Sequence, residues 1–308
     1  MEQNETMNVK KKSWAENECP IWQWILLLVL SIALGMIFCI VAMGGFTVVQ
    51  IILGIKQTAL VTFIQQILVF ACLFWAMIIF IKPICKTSVW SFILGRERKV
   101  DKKAMWKITG LFGVGLLLSI LVALPNLYVN PDASFGRTLF LFLLSGAIIW
   151  MQTSLEEFWF RGIIGRMFFK DDLKQKFSGK VLAYILVSSL LFMAAHLANP
   201  EVLNASGGDV IFMVLSYLIP GVMFAVLDLK FGSILPGIII HYLNNFAATW
   251  LIRAEVSVLD TPAIFVDGTK ENTGLMGFAS TASIFLPLII YLILSSRRNK
   301  KEGDGAGA

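Results

Sequence analysis

The sequence predicts an all-α fold, a polytopic membrane helical bundle of about eight transmembrane helices with both termini cytoplasmic. Three observations carry this. Of 308 residues, 57% are hydrophobic and only 15% charged, with a mean hydropathy of +0.77; soluble globular chains have about 45–50% apolar and about 25% charged residues. The apolar residues gather in runs of the length a bilayer demands, about 20 residues for a helix crossing hydrocarbon about 30 Å thick. Lysine and arginine then concentrate in alternate connections between those runs. The first observation excludes a soluble enzyme and a disordered or fibrous chain. No nucleic-acid partner is expected, because the net charge of +6 comes from short loops and tails rather than from one basic face.

In chain order, the runs lie at about 21–43, 59–81, 105–124, from 138 past 156, 181–198, 210–227, 234–252 and 276–294. The first exceeds the roughly 7–15-residue apolar core of a signal peptide and no small-residue cleavage pattern follows, so it reads as a span. Residues 46–54 are too few to cross and read as an interfacial or re-entrant piece. Around the membrane domain, 21–296, lie tails at 1–20 and 297–308; the last six residues are small and carry no weight in the fold. Cys19, Cys39, Cys72 and Cys85 form no C-x-x-C pair, which argues against a disulfide framework and a cysteine-rich metal site. No internal repeat is present.

Lysine and arginine counts set orientation. Lys10–Lys12, the loop from Lys82 to Lys103, the loop from Arg166 to Lys180 and the tail from Arg297 to Lys301 hold most of the cations. Loops 125–135 and 199–209 hold none, and in the loop after the seventh run Arg253 and Lys270 are offset by Glu255, Asp260, Asp267 and Glu271. The cation-rich segments are read as cytoplasmic. Trp22, Trp24, Trp106 and Trp250 fall near run ends, where interfacial anchors belong.

Ionisable side chains inside a bilayer are costly and mark functional sites. Runs four, five and seven contain Glu156, Glu157, Arg161, His196, His241, Asn244 and Asn245, and the two histidines are the only ones in the chain. Glu157 and Arg161 are four apart and share a helix face, the spacing of an ion pair that lowers the cost of burial. Glu156 points about 100° away and is the carboxylate left for chemistry. Phe192 and His196 share a face of run five. His241 and Asn245 project together from run seven and could donate two hydrogen bonds to one oxygen, the arrangement of an oxyanion hole; Asn244 is the weaker partner. Pro236 and Gly237 just before His241 are expected to kink that helix. The bland alternative for each is polar glue between helices. Counting about 1.5 Å per residue from the cationic loops puts Glu156, His196, His241 and Asn245 at similar depths, roughly 15–24 Å. Independent packing residues have no reason to agree in this way.

Glu156-Glu157-x-x-x-Arg161, Phe192-x-x-x-His196 and His241-x-x-x-Asn245, in that order on successive membrane helices, resemble the three signature motifs of the CAAX protease and bacteriocin-processing family (Abi, CPBP, type II CAAX prenyl endopeptidase-like). The resemblance covers about residues 136–251 and departs from the pattern at none of the three motifs. It implies a buried bundle with a cavity open towards the cytosol. By carry-over, Glu156 activates water, His196 is its partner, and His241 and Asn245 stabilise the oxyanion. Glu157, Arg161 and Phe192 support them.

The expected activity is therefore intramembrane endopeptidase hydrolysis by a water activated by Glu156 and His196, with no cofactor. Zinc on Glu156, His196 and His241 is the alternative, since two histidines and a carboxylate leave a fourth position open; no His-Glu-x-x-His helix is present. The expected partners are a peptide or membrane-protein substrate and the lipid bilayer, in a bacterial plasma membrane; no oligomeric state follows from the sequence. The rival readings are a non-catalytic protein of the same fold, acting in bacteriocin self-immunity or as a signalling scaffold, and a transporter. Against the transporter, polar residues cluster in three runs with no second copy.

Overall fold

The computed structural model describes residues 19–95, 99–170, 172–258, 261–269 and 273–305. The chain is an all-α polytopic membrane bundle. Six of its helices are long and apolar enough to cross a membrane. The first, α1 (Ile21–Leu53), runs for 33 residues, so residues 46–53 continue it and the expected separate interfacial piece is not there. The reason is visible in the sequence: the segment after Gly44 and Gly45 stays apolar, both glycines stand in open space, and the helix ends only where Gly54 adopts φ 61°. Next come α2 (Ala59–Cys85), a short α3 (Val89–Leu94) and α4 (Lys102–Ala123). They start at Thr58, Ser88 and Asp101, each accepting a hydrogen bond from the amide three residues on, which satisfies an end that has no intrahelical partner.

The region of the three motifs begins with α5 (Phe135–Glu157), which passes into a π-helical turn (Phe158–Ile163) and α6 (Ile164–Phe169). The π turn starts directly after the two glutamates, the kind of place where such bulges gather. Then follow α7 (Gly179–Ala195), α8 (Pro200–Leu203), α9 (Asp209–Phe231), α10 (Leu235–Trp250) and α11 (Thr273–Gly305). The helix α11 thus extends past the expected end of the membrane domain at 296. The helices α7 and α10 occupy the expected places but have only 17 and 16 residues, about 25 Å each at 1.5 Å per residue. Both are shorter than the hydrocarbon core. The expected kink at Pro236 is not there; this proline lies in the first turn of α10, where its missing N–H costs nothing and its fixed φ starts the helix.

Three short strands interrupt the expected all-helical pattern. β1 (Leu127–Val129) pairs antiparallel with β3 (Phe265–Asp267), which pairs parallel with β2 (Ile252–Ala254). This small sheet sits at the ends of α4 and α10, away from the cation-rich loops.

Close crossings hold the bundle. A Cβ on Gly115 of α4 would lie 1.9 Å from the Ile284 carbonyl oxygen of α11, so only glycine lets these backbones meet. Ser119 and Ser280 hydrogen-bond across the same crossing at 2.6 Å. Gly221 of α9 also packs closely on α7, where a Cβ would lie 3.2 Å from the Ser189 backbone. Trp24, Phe74, Phe92 and Phe158 belong to one hydrophobic core, and Phe112, Phe192, Phe224 and Phe285 to a second.

Candidate active site

Every site residue expected from the sequence comes to one place. Glu156 and Glu157 occupy the last turn of α5, His196 caps the end of α7, and His241 and Asn245 lie on α10. Arg161 Nη1 donates to Glu157 Oε1 at 3.1 Å, with both side chains fully buried. The expected ion pair is therefore formed. The same Glu157 oxygen also lies 2.8 Å from His241 Nδ1, a contact that the i,i+4 spacing did not reveal. Glu157 is thus the group that orients His241 as well as the partner of Arg161. Gly237 allows this approach: a Cβ there would lie 3.0 Å from Glu157 Oε2 and 3.1 Å from Asp228 Oδ1.

Glu156 is 6% exposed. Its Oε1 accepts from Gln152 Nε2 at 3.2 Å, and its buried Oε2 accepts no hydrogen bond from a described protein group. That oxygen faces His241 Nε2 at 3.6 Å and His196 Nε2 at 3.8 Å. Each imidazole is held by its other nitrogen: His241 Nδ1 to the Glu157 carboxylate, and His196 Nδ1 to the Phe192 carbonyl at 2.7 Å. Since a carboxylate and a carbonyl only accept, both Nδ1 atoms carry protons, and both Nε2 atoms turn towards Glu156. The separations exceed a direct hydrogen bond and suit a group bridging the three atoms.

Asn245 completes the cluster. Its Oδ1 accepts from Asn244 Nδ2 at 3.2 Å, which leaves its Nδ2 directed at His241 Nε2, 3.4 Å away. Asn244 therefore orients Asn245 rather than replacing it. Phe224 stacks on the His241 ring at 4.9 Å and Phe192 meets it edge-on at 5.6 Å. The Arg161 guanidinium lies 4.3 Å from the Phe192 ring and 5.2 Å from Phe224, so the cation shares the aromatic wall that fixes the histidines.

Donors held 2.0–2.2 Å from one zinc in a tetrahedron stand about 3.4 Å apart. The Glu156–His241 and Glu156–His196 spacings of 3.6 and 3.8 Å are a few tenths wider. No cluster of His, Cys, Asp or Glu among the described residues has the arrangement of a metal site.

The sequence missed several neighbours. Gln152 stands one turn before Glu156, a spacing that could have flagged it. Tyr217, Phe224 and Asp228 come from α9, a helix in which no site residue was expected; Asp228 lies one residue beyond the expected end of that run. Arg166, fully buried, donates to the carbonyls of Gly162, Ser91 and Phe92 and ties α3 to the π turn.

A cavity of about 770 Å³ leads to the cluster, lined there by Gln152, His196, His241, Asn244 and Asn245. Its other end is lined by Asn199, Glu201, Asn204, Ser206 and Asp209, by Arg253 to Val258, and by the start of α11; no described residue of 82–103 or 166–180 takes part. The cavity therefore lies towards the cation-poor loops. A cavity open to the cytosol, as the resemblance implied, and cytoplasmic cationic loops do not hold together.

Residues 135–247 match the model of the Rce1-like family, described as type II CAAX prenyl endopeptidase Rce1-like. The chain is also 30% identical over 186 residues to YyaK of Bacillus subtilis (strain 168), an uncharacterized protein; the match covers 56% of this chain and 59% of YyaK. The chain thus aligns with less than two thirds of that relative's length. No solved structure matches. The stretch matched by that family model carries both glutamates, both histidines and Asn245, so the similarity falls on the site itself.

Proposed function

We propose that the chain is an intramembrane endopeptidase of glutamate type, working without a metal on a peptide or membrane-protein substrate. The observation that carries this reading is the Glu156 Oε2 atom, buried, without a hydrogen-bond partner among the described residues and faced by two imidazole nitrogens. In this reading a water bridges Glu156 Oε2 and His196 Nε2. Glu156 takes one of its protons as the oxygen attacks the scissile carbonyl. The negative charge that develops is met at the oxyanion site formed by the Asn245 amide and the Nε2 edge of His241, whose ring Glu157 holds from the opposite nitrogen. The proton on Glu156 then passes to the leaving amine, so the products are an acid and an amine and the carboxylate is restored. Zinc held by Glu156, His196 and His241 is the second form of the same site; it would polarise the carbonyl and acidify the water.

The site's location adds a substrate geometry. With the cationic loops in the cytoplasm, the cavity receives a chain segment from the outer half of the bacterial plasma membrane. A prenyl group is not required by any residue of the site, and the rival scaffold reading has no feature of its own to recommend it.

The test is cleavage by the full chain in liposomes, using membrane-anchored reporter peptides with and without a farnesyl group. Wild type is compared with Glu156→Gln, His196→Ala and His241→Ala. Turnover by wild type alone supports the reading; equal cleavage by all four ends it. Loss of turnover on adding a chelator, restored by zinc, replaces the metal-free form with the zinc form.

A further inference from the structure

We infer that Tyr217 and Glu201 are positioning residues for His196, and that through Glu201 the position of this ring is tied to the segment 255–258 bordering the cavity. The inference rests on the protease reading above for its kinetic consequence, but its geometry stands apart from that reading.

His196 sits where α7 has just ended. A side chain at a helix end has fewer neighbours from its own helix, so other elements must fix it. One bond, from Nδ1 to the Phe192 carbonyl, sets one edge of the ring. The tilt is set by two aromatic faces: Phe192 on one side, with centroids 4.5 Å apart, and Tyr217 stacked at 4.7 Å with planes 27° apart. Tyr217 comes from α9, and its ring is itself held through the hydroxyl. That hydroxyl donates to Glu201 Oε1 and accepts from Asn199 Nδ2 at 2.9 Å. Asn199 precedes α8 but does not cap it; its amide goes to Tyr217 instead.

Glu201 has a second duty. Its Oε2 accepts from the backbone N–H of Val258 at 3.0 Å. The Val258 carbonyl accepts from Gln66 of α2, also at 3.0 Å. The segment around Val258 is thus held from two sides, and it borders the same cavity as His196. One carboxylate therefore joins the cavity border to the ring that faces Glu156. A substrate segment that displaces the Val258 N–H must supply an N–H of its own to Glu201 Oε2, or Glu201 is held only through Oε1, by the Tyr217 hydroxyl and by Asn199 Nδ2 at 3.4 Å. Catalytic geometry tolerates little error, since a displacement of about 1 Å can cost about a hundredfold.

The chain has two histidines, so imidazole signals of ¹⁵N-histidine-labelled protein are assigned by replacing either one. In the full chain in nanodiscs, Tyr217→Phe keeps the stacked ring and loses the hydroxyl, Tyr217→Leu loses both, and Glu201→Gln keeps the shape but cannot accept both hydrogen bonds. All three are expected to shift the His196 signals and leave those of His241 in place; the unmoved His241 signals report that the fold is intact. On the reporter peptides, kcat is expected to fall about tenfold for Tyr217→Phe and further for Tyr217→Leu, with KM within about twofold. His196 signals unchanged in Tyr217→Leu overturn the positioning role, as does a wild-type kcat in that variant. A wild-type chain that cleaves no reporter overturns the protease reading instead, and the histidine signals still decide the positioning.

Discussion

Two adjacent glutamates show how far one residue's chemistry can differ from its neighbour's. Glu157 is fully buried and its Oε1 accepts from both Arg161 and His241, whereas Glu156 turns its Oε2, which has no hydrogen-bond partner among the described residues, towards both imidazole Nε2 atoms. Glu156→Gln is nearly isosteric and removes only the proton acceptor. It is expected to lower kcat at least about a hundredfold, the reach of general-base catalysis, while the thermal midpoint in detergent stays within about 2 °C, because glutamine keeps the shape of the side chain and an oxygen to accept from Gln152. Glu157→Gln breaks a buried pair and strands Arg161. It is expected to cost about 3–5 kcal/mol in stability besides activity, read as a drop in the thermal midpoint. The reversed pattern, with Glu156→Gln unstable and Glu157→Gln merely inactive, would exchange the roles of the two carboxylates. Asn245→Ala removes one oxyanion donor and is expected to lower kcat by about 10²–10³ with little change in KM; unaltered turnover would remove Asn245 from the mechanism.

At the scale of elements, the bundle depends on backbones that approach without side chains between them. Gly115 is the sharpest case, because the atom its Cβ would strike is a backbone carbonyl of α11 rather than the flexible end of a side chain. Gly115→Val is expected to force α4 and α11 apart and lower the thermal midpoint in detergent by several degrees. Gly113→Ala, two residues away in open space, is expected to be neutral or slightly stabilising, since alanine favours the helix by roughly 1 kcal/mol. Equal midpoints in the two variants would mean that the crossing does not hold the fold. The sequence made the long helices legible because hydropathy measures what a bilayer selects. It did not reveal where they stop. Residues 46–53 of α1 are mostly apolar and mostly exposed, and they continue the helix without a break, although a length rule divides them from it. The short α7 and α10 were also hidden, because Leu197 and Leu251 keep the apolar runs going past the points where the helices end. The three strands depend on pairing Leu127 with Asp267 and Ile252 with Phe265; such long-range pairing leaves no periodicity in three residues. The site was legible for a different reason. Carboxylates, histidines and an amide are expensive in a membrane, so their spacing stood out, whereas Tyr217 and Phe224, aromatic among many aromatics, did not.

At the scale of the whole molecule, charge and cavity together give a direction. The connections at 82–103 and 166–180 carry the cations, and the cavity lining includes none of their described residues. It reaches instead the segments 199–209 and 253–258, at the opposite helix ends. Cationic loops are retained in the cytoplasm, so the cavity is expected to admit reagents from the outside of an intact cell. In a background lacking the four native cysteines, Val256→Cys, bordering the cavity, and Lys174→Cys, in the second cationic loop, separate the two sides. A membrane-impermeant thiol reagent is expected to label Val256→Cys in intact cells and Lys174→Cys only after permeabilisation. If the labelling is reversed, the molecule sits the other way up, the cavity opens to the cytosol as the family resemblance implied, and the lysine and arginine count has failed as a guide. If the expected pattern holds, the peptide bond presented to Glu156 must come from the outer half of the bilayer. The substrate is then sought among secreted peptides and the outer segments of membrane proteins rather than among cytosolic chains.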